Sequence, residues 1–317
     1  MKLLDKIQEN SPKVLVVGDI MLDRFIFGDV DRISPEAPVP VVRSVREKYS
    51  LGGCGNVLRN LINLGIKTYI VSCVGKDQAG KKIIEDLNKK GCSSKHIKIF
   101  ESIQTTEKMR IVAEGQQLVR VDWDTTSIPD NSYETLKKAI LINLKKSNAV
   151  VISDYNKGFC TDSLIKELIN QARKMCIPIL VDPKGDNWEK YSGSSIITPN
   201  IKEAEELLGK KLYKDKEIEN AGIEICSNFN IGSCLITRGA NGMSYISKRG
   251  TYHVNSEAKE IFDVSGAGDT VIASFASGLA LGLEPSLVTD FANKAAGIVV
   301  GHIGTTAINI SELKNNN

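Results

Sequence analysis

Between residues 131 and 239 helix-like and strand-like stretches alternate in a regular way, and each strand-like stretch runs out into polar or charged residues. Segments 131–146, 161–175 and 218–229 have helical periodicity, while 149–153, 178–181, 195–198 and 234–237 are short and apolar. Parallel strands need a crossover between them, so this repetition predicts one mainly parallel sheet with helices on both faces. Lys13-Val14-Leu15-Val16-Val17 has the same unbroken apolar character, which suits a strand covered on both faces. In such sheets ligands bind beyond the carboxyl ends of the strands, which places Asp19 well to touch one, although a turn acid has the same signature. The expected architecture is a three-layer α/β fold.

The remaining stretches depart from that rhythm. Residues 1–12 read as a short amphipathic helix ending at Pro12. Residues 23–30 and 39–45 read as strands split by a proline-bearing loop at 34–38, an excursion from the main sheet that fits a lid. Stretches 105–114 and 117–122 add Lys108, Arg110, Arg120 and Asp122, the composition either of a lid over a phosphorylated ligand or of a solvated edge ribbon. Leu51-Gly52-Gly53-Cys54-Gly55-Asn56 opens a helix closed by Gly65, with Asn56 a plain N-cap or a substrate ligand. Gly75 to Lys82 approaches the GxxxxGK[ST] phosphate loop. Lys82 stands where a hydroxyl should meet Mg²⁺, so the stretch reads as a turn and helix start. His302-Ile303-Gly304-Thr305 approaches the HxGH of nucleotidyltransferases without its second histidine.

The stretch richest in chemistry is Asp263-Val264-Ser265-Gly266-Ala267-Gly268-Asp269, which follows Glu260-Ile261-Phe262 and precedes a long apolar segment, 270–283. The first amides of a helix have no partner within it and, with the macrodipole, attract anions such as phosphate. Gly266 and Gly268 let a ligand approach the backbone closely. Asp269 adds a carboxylate in the first turn, an arrangement suited to passing a phosphoryl group to a hydroxyl. The plainer reading is a glycine-rich loop with a favourable first-turn acid.

Composition closes off several classes. Basic and acidic residues number 41 and 38, a net charge of +3, too balanced to argue for nucleic acid or an anionic membrane as partner. The charged N-terminus is unlike a secretory signal, and no apolar run is long enough to span a bilayer. Seven cysteines without a CxxC pair point to free thiols in a reducing cytoplasm, and three histidines give little support to a histidine-based site.

Taken together, Gly18-Asp19, Gly52-Gly53 with Asn56, Val74-Gly75-Lys76-Asp77 with Gly80, Asn200 with Glu203, Thr237-Arg238-Gly239 with Gly242, and Asp263 through Asp269 resemble the ribokinase-like carbohydrate kinases over nearly the whole chain. Val271 stands where the family often has Phe. The resemblance implies one kinase domain over 1–317, with a small β-lid from about 23–50 and 104–122. Asp19 to Val41, Ser153 to Gly158, Val181 to Asp186 and Phe262 to Val271 are most similar to the branch acting on D-glycero-β-D-manno-heptose 7-phosphate. Members of that branch are often fused to an adenylyltransferase, and the resemblance implies the kinase half alone.

The implied chemistry is phosphorylation of the anomeric 1-hydroxyl to the 1,7-bisphosphate, in the synthesis of ADP-heptose and surface glycans. ATP would lie near Asn200, Glu203, Thr237, Arg238, Gly239, Gly242 and Asn293, with Mg²⁺ reached by Glu203 through water. A monovalent cation is a further implied cofactor. Asp19, Gly53, Asn56 and Asp154 would hold the sugar, and Lys157, Lys184, Arg110 and Arg120 are the candidates for its 7-phosphate. The amides of Gly266, Ala267 and Gly268 would face the transferred group, and Asp269 would accept the hydroxyl proton. A helix N-terminus favours ionised Asp269 and so makes it a weak base that orients the hydroxyl and takes its proton late. Asn200 and Glu203 also fit a capping box. An isolated ribbon is marginal in water, so the lid strands imply a homodimer. The competing readings are a kinase of another sugar or sugar phosphate, a catalytically silent sugar-binding protein, and a P-loop NTPase, which Lys82 disfavours.

Overall fold

The computed structural model describes residues 2–258, 261–302 and 304–315. Met1, Glu260, Ile303 and the tail residues Asn316 and Asn317, drawn on above, lie outside the described residues. In chain order the strands are β1 (Lys13–Gly18), β2 (Ile20–Ile33), β3 (Pro40–Gly53), β4 (Lys67–Gly75), β5 (Ile97–Phe100), β6 (Glu107–Ala113), β7 (Gln116–Trp123), β8 (Ala149–Ser153), β9 (Ile179–Asp182), β10 (Ile196–Ile197), β11 (Ser233–Thr237), β12 (Met243–Ser247) and β13 (Gly250–Val254). The α-helices are α1 (Lys2–Asn10), α2 (Cys54–Asn63), α3 (Gln78–Lys89), α4 (Tyr133–Leu144), α5 (Asp162–Lys174), α6 (Ile201–Leu208), α7 (Asp215–Asn228), α8 (Ala267–Ala280), α9 (Pro285–Val299) and α10 (Ile310–Asn315).

A nine-stranded sheet runs β13-β12-β11-β10-β9-β8-β1-β4-β5. Every pairing from β5 to β11 is parallel, and β12 and β13 close one edge antiparallel. The central strands are apolar at consecutive positions because each face meets its own core. From β1, Val14 and Val16 pack with Leu58, Ile83, Ile272 and Phe275. Leu15 and Val17 of the same strand pack with Leu136, Ile140, Leu164 and Ile225 on the opposite face. Helices thus cover both faces, as the alternation requires.

The excursion forms a separate four-stranded sheet in the order β3-β2-β6-β7. Its first two strands are longer than the sequence pattern indicates. β2 starts one residue after Asp19, and β3 carries through Leu51-Gly52-Gly53 to the door of α2. Gly53, with φ 58°, is therefore the N-cap of α2, and Asn56 is not: it is the third residue of the helix, buried. The near-match to a phosphate loop is a turn. Asp77 caps α3 by accepting from the Gly80 amide at 2.8 Å and also accepts from the Thr105 amide at 2.7 Å, while Lys82 stacks over Tyr49. Among the described residues no helix is long and apolar enough to cross a membrane.

Candidate active site

Residues 261–266 form an exposed loop, not a strand, that delivers the chain to α8. The turn is made at Gly266, φ 83°, where a Cβ would lie 2.7 Å from Nδ2 of Asn56. Gly268 has open space where its Cβ would be, so nothing in the protein prevents a ligand from reaching that backbone. Among the described residues the amides of Gly266 and Gly268 donate to nothing, while that of Ala267 is turned to the Val264 carbonyl at 3.2 Å. The expected ring of three donors is thus two open amides and one internally bonded.

Asp269 is the third residue of α8 and is buried. Its carboxylate is held at both oxygens: Asn56 Nδ2 donates to Oδ2 and the Tyr155 hydroxyl to Oδ1, each at 2.8 Å. Arg59 in turn donates to Oδ1 of Asn56 at 3.2 Å and to the Thr305 carbonyl at 3.3 Å, which fixes the orientation of the Asn56 amide. Burial pushes the Asp269 carboxyl up to about 6, against the hydrogen bonds from Asn56 and Tyr155; the Asp23 charge adds to the rise and Arg59 opposes it. The expectation of a weak base is corrected here: the helix terminus favours the anion, but burial outweighs it and leaves a carboxylate better suited to accept a proton near neutral pH.

Asp19 and Asp154 do not face the cleft. Asp19, at the break between β1 and β2, accepts the amides of Tyr155 at 2.8 Å, Phe159 at 3.0 Å and Lys157 at 3.2 Å. Burial and the neighbouring Asp154 raise its carboxyl to about 6, and those amides pull the other way. Asp154 accepts from the Tyr191 hydroxyl at 2.7 Å and pairs with Lys190 at 2.6 Å, its side chain fully buried. Both acids anchor the loop after β8, the loop that carries Tyr155 to Asp269. With Cys160 they bring potential ligand atoms within 4.8 Å of one another, but these oxygens are already taken up by the loop.

The acid that does reach the cleft is Asp23, four residues on. Its Oδ1 pairs with Arg110 at 2.6 Å and its Oδ2 accepts from Thr305 at 3.3 Å. A side chain at Gly52 would collide with Oδ2, so the glycine makes room for this carboxylate. The signal was present in the sequence as strand alternation from Leu22, but nothing local marks Asp23 as turned inward. Beside it is a cavity of about 410 Å³ between the lid sheet and the loop before α8. Its walls include Phe25, Lys48, Ser50, Arg110, Ser265 and Thr305. Asp263 also lines it; burial raises its carboxyl, but bonds from Ser265 and the Gly304 amide prevail and hold it below its usual value.

The candidate phosphate cations separate. Arg110 is at this cavity, and Arg120 lies directly opposite it on β7, bonded to Asp122 at 2.9 Å. Lys157 is paired with Asp124 at 2.6 Å. Lys184 is paired with Glu203 at 2.9 Å, away from the lid cavity, and lines a smaller recess with Glu203 instead.

On that other side, Asn200 caps α6 and forms the full capping box with Glu203, and its backbone bridges to Thr237. Arg238 is nearly buried, its guanidinium paired with Asp215 and bonded to the Asn241 carbonyl at 2.8 Å, so it shapes the turn after β11. Gly239, φ 59°, has open space around it; a Cβ at Gly242 would collide with the Val254 carbonyl. Asn293 donates to the Asn255 carbonyl at 2.7 Å and so pins the strand exit that passes Gly242. Asp182, at the end of β9, was not singled out by the sequence. Its carboxylate has no hydrogen bond or ion pair among the described residues, and burial, with the Asp269 and Glu203 charges, pushes it well above its usual value.

The mainly parallel sheet, the lid and the buried carboxylate at a glycine-opened helix terminus are those of the ribokinase-like α/β class of sugar kinases. The chain belongs to the pfkB family of carbohydrate kinases, whose family pattern matches residues 11–312. It is 40% identical over 301 residues to the D-beta-D-heptose 7-phosphate kinase of Bordetella bronchiseptica, covering 95% of each protein. It is 39% identical to the bifunctional protein HldE of Pelobacter propionicus over 95% of this chain but only 62% of that relative, so it spans less than two thirds of such bifunctional proteins. Among solved structures it superposes on Arabidopsis thaliana ribokinase complexed with ribose and ATP with a TM-score of 0.74 at 20% identity, covering 96% and 98% of the two chains. Phosphofructokinase-2 from Escherichia coli gives 0.80 at 18% identity, covering 96% and 97%.

Proposed function

We propose that this chain transfers the γ-phosphate of ATP to the anomeric 1-hydroxyl of D-glycero-β-D-manno-heptose 7-phosphate, in the supply of ADP-heptose for surface glycans. The observation that carries the reading is the doubly held Asp269 carboxylate beside the open amides of Gly266 and Gly268, next to a cavity lined by Lys48 and Arg110. The close relative named as a heptose 7-phosphate kinase supports the choice of sugar. Asp269, ionised above about pH 6, accepts the proton of the attacking hydroxyl as the bond to phosphorus forms and the bond to the ADP oxygen breaks. The Gly266 and Gly268 amides stabilise charge on the transferred group. Asp23 and Arg110 position the sugar ring; Asp19, Gly53 and Asp154 act behind it by shaping the loops, and Asn56 acts through Asp269.

ATP is read onto the wall formed by Asn200, Thr237, Gly239 and Gly242, with Arg238 and Asn293 supporting its backbone. The residues present would suit Mg²⁺, because a hard cation takes oxygen ligands and the Asp182 carboxylate has no hydrogen bond or ion pair among the described residues. Asp182 and, through water, Glu203 would hold it, and it would neutralise phosphate charge. A monovalent cation remains part of the reading through the family resemblance, tested by comparing turnover in potassium and in tetramethylammonium salts.

The outer face of the lid sheet carries an apolar strip, with Ile26 beside Ile111, Ile111 opposite Val119 and Met109 opposite Val121. We read it as the interface with a second copy, since sheets bury such faces by packing on one another. Reaction in the cytoplasm follows from the substrates. The test of the whole reading is turnover of ATP with the phosphosugar followed by phosphorus NMR. A new phosphate on the anomeric oxygen supports it, whereas turnover only with unphosphorylated sugars, or release of inorganic phosphate alone, contradicts it.

A further inference from the structure

We infer that a cross-strand row of cations on the inner face of the lid, Lys48, Arg110 and Arg120, forms the subsite for the distal phosphate of the sugar, with Lys48 as its principal ligand. This rests on the phosphosugar reading above and names the residues that select for it. The pairing registers put the row together: Phe25 faces Lys48 on β3 and Arg110 on β6, and Arg110 faces Arg120 on β7. Residues directly paired across a sheet project to one side; on that side Phe25, Lys48 and Arg110 line the cavity, and Arg120 adjoins Arg110. Arg110 stacks over the Phe25 ring at 5.1 Å and Arg46 over Phe27 at 4.3 Å, so two aromatic rings form the floor beneath the charges.

The acids nearby are already engaged. Asp23 is held by Arg110 and Thr305, Asp122 by Arg120, and Asp263 by the Ser265 and Gly304 amides. Lys48 has no ion pair or hydrogen bond among the described residues, which leaves one cation over at the cavity wall. Arg110 uses one terminal nitrogen on Asp23, and its guanidinium has further donors to offer. Ser50 supplies the second, independent sign of a ligand. It is 7% exposed, its hydroxyl is buried without a partner, and it lines the same cavity. A dianion with several acceptor oxygens answers all three groups at once, whereas a sugar hydroxyl would leave Lys48 unneutralised. The cavity also touches Ser265 and Thr305, which border the Gly266 turn, so a sugar lying in it spans from the turn to the row.

The experiment compares wild type, Lys48→Gln and Lys48→Arg with D-glycero-D-manno-heptose 7-phosphate and with the unphosphorylated heptose, and records KM for ATP alongside. For Lys48→Gln we expect KM for the phosphosugar to rise about ten- to hundredfold, the scale of one lost charged hydrogen bond. The preference for phosphosugar over free sugar should fall by the same factor, KM for ATP should stay within about twofold, and Lys48→Arg should recover most of the loss. A wild type that prefers the phosphosugar while Lys48→Gln keeps its KM overturns the subsite and leaves the phosphosugar reading standing. A wild type with no preference for the phosphosugar overturns that reading, and the subsite with it.

Discussion

The Tyr155 hydroxyl donates to Oδ1 of Asp269 at 2.8 Å, joining the loop after β8 to the first turn of α8. The same tyrosine has its amide fixed by the carboxylate of Asp19 at 2.8 Å. One oxygen of the Asp269 carboxylate is therefore aimed by a loop that a second, buried acid holds in shape.

The first prediction concerns pH. In the proposed reaction Asp269 acts as an anion, and burial raises its folded-state carboxyl to about 6, so the acid limb of kcat/KM should fall near pH 6 rather than near 4. A donor to the charged form lowers that value, so deleting the donor raises it. Tyr155→Phe should move the limb upward by about half to one unit, with kcat on the plateau down by about tenfold or less. The groups that bear on Asp269 besides Tyr155 include Asn56, Asp23, Arg59 and the carboxyl of Asp182, and none of them is altered by this change. A pH–rate profile with an unmoved limb would reduce Tyr155 to packing.

Gly52 tests the placement of Asp23. A methyl group there collides with the Asp23 carboxylate, and overpacking at such a site costs about 1–3 kcal/mol. Gly52→Ala should raise KM for the phosphosugar by about tenfold or more while KM for ATP changes little. Steady-state kinetics with both substrates decide it, and parallel increases in the two constants would mean that the lid has lost its shape generally.

Lys184 tests the division between the two walls. It pairs with Glu203 at 2.9 Å, on the side read as the nucleotide's. Lys184→Ala should raise the Mg²⁺–ATP requirement by about three- to tenfold, the worth of one partly exposed charge contact, and leave KM for the phosphosugar unchanged. A rise confined to the phosphosugar would return Lys184 to the sugar phosphate.

The outer face of the lid carries the fourth prediction. Ile111 and Val119 are paired across β6 and β7 on the apolar side, so Ile111→Lys with Val119→Lys places two charges in the proposed interface. Light scattering at micromolar concentration should give a dimer for wild type and a monomer for the double variant. A wild type that is monomeric removes the interface.

The parallel sheet was legible because each of its signals is local. Apolar runs such as Val14 to Val17 and polar strand ends are written in consecutive residues, as are the turn and helix start from Gly75 to Lys82 and the capping box of Asn200 with Glu203. The glycine turn before Asp269 was legible for the same reason. What failed depends on direction or on distant partners. Asp19 sits where β1 ends and β2 has not begun, so strand alternation does not set its side chain, and the amides of residues 155–159 capture it. Asn56 was read as a helix cap or a substrate ligand, but its side-chain amide is bonded to Asp269, 213 residues away. Lys184, just past a strand end, and Arg110, within a lid strand, were equal candidates for the sugar phosphate in sequence, and only the register of the lid and the pairing with Glu203 tell them apart.

The central claim is that Asp269 takes the hydroxyl proton as phosphate is transferred at the terminus of α8. It is tested most directly by the single-turnover rate of Asp269→Asn with saturating ATP and heptose 7-phosphate, once ATP binding to the variant has been verified. Asparagine keeps the size of the side chain and removes its charge and basicity. The account predicts nearly intact ATP binding and a rate at least ~100-fold below wild type. A variant that binds ATP and turns over at close to the wild-type rate would contradict it.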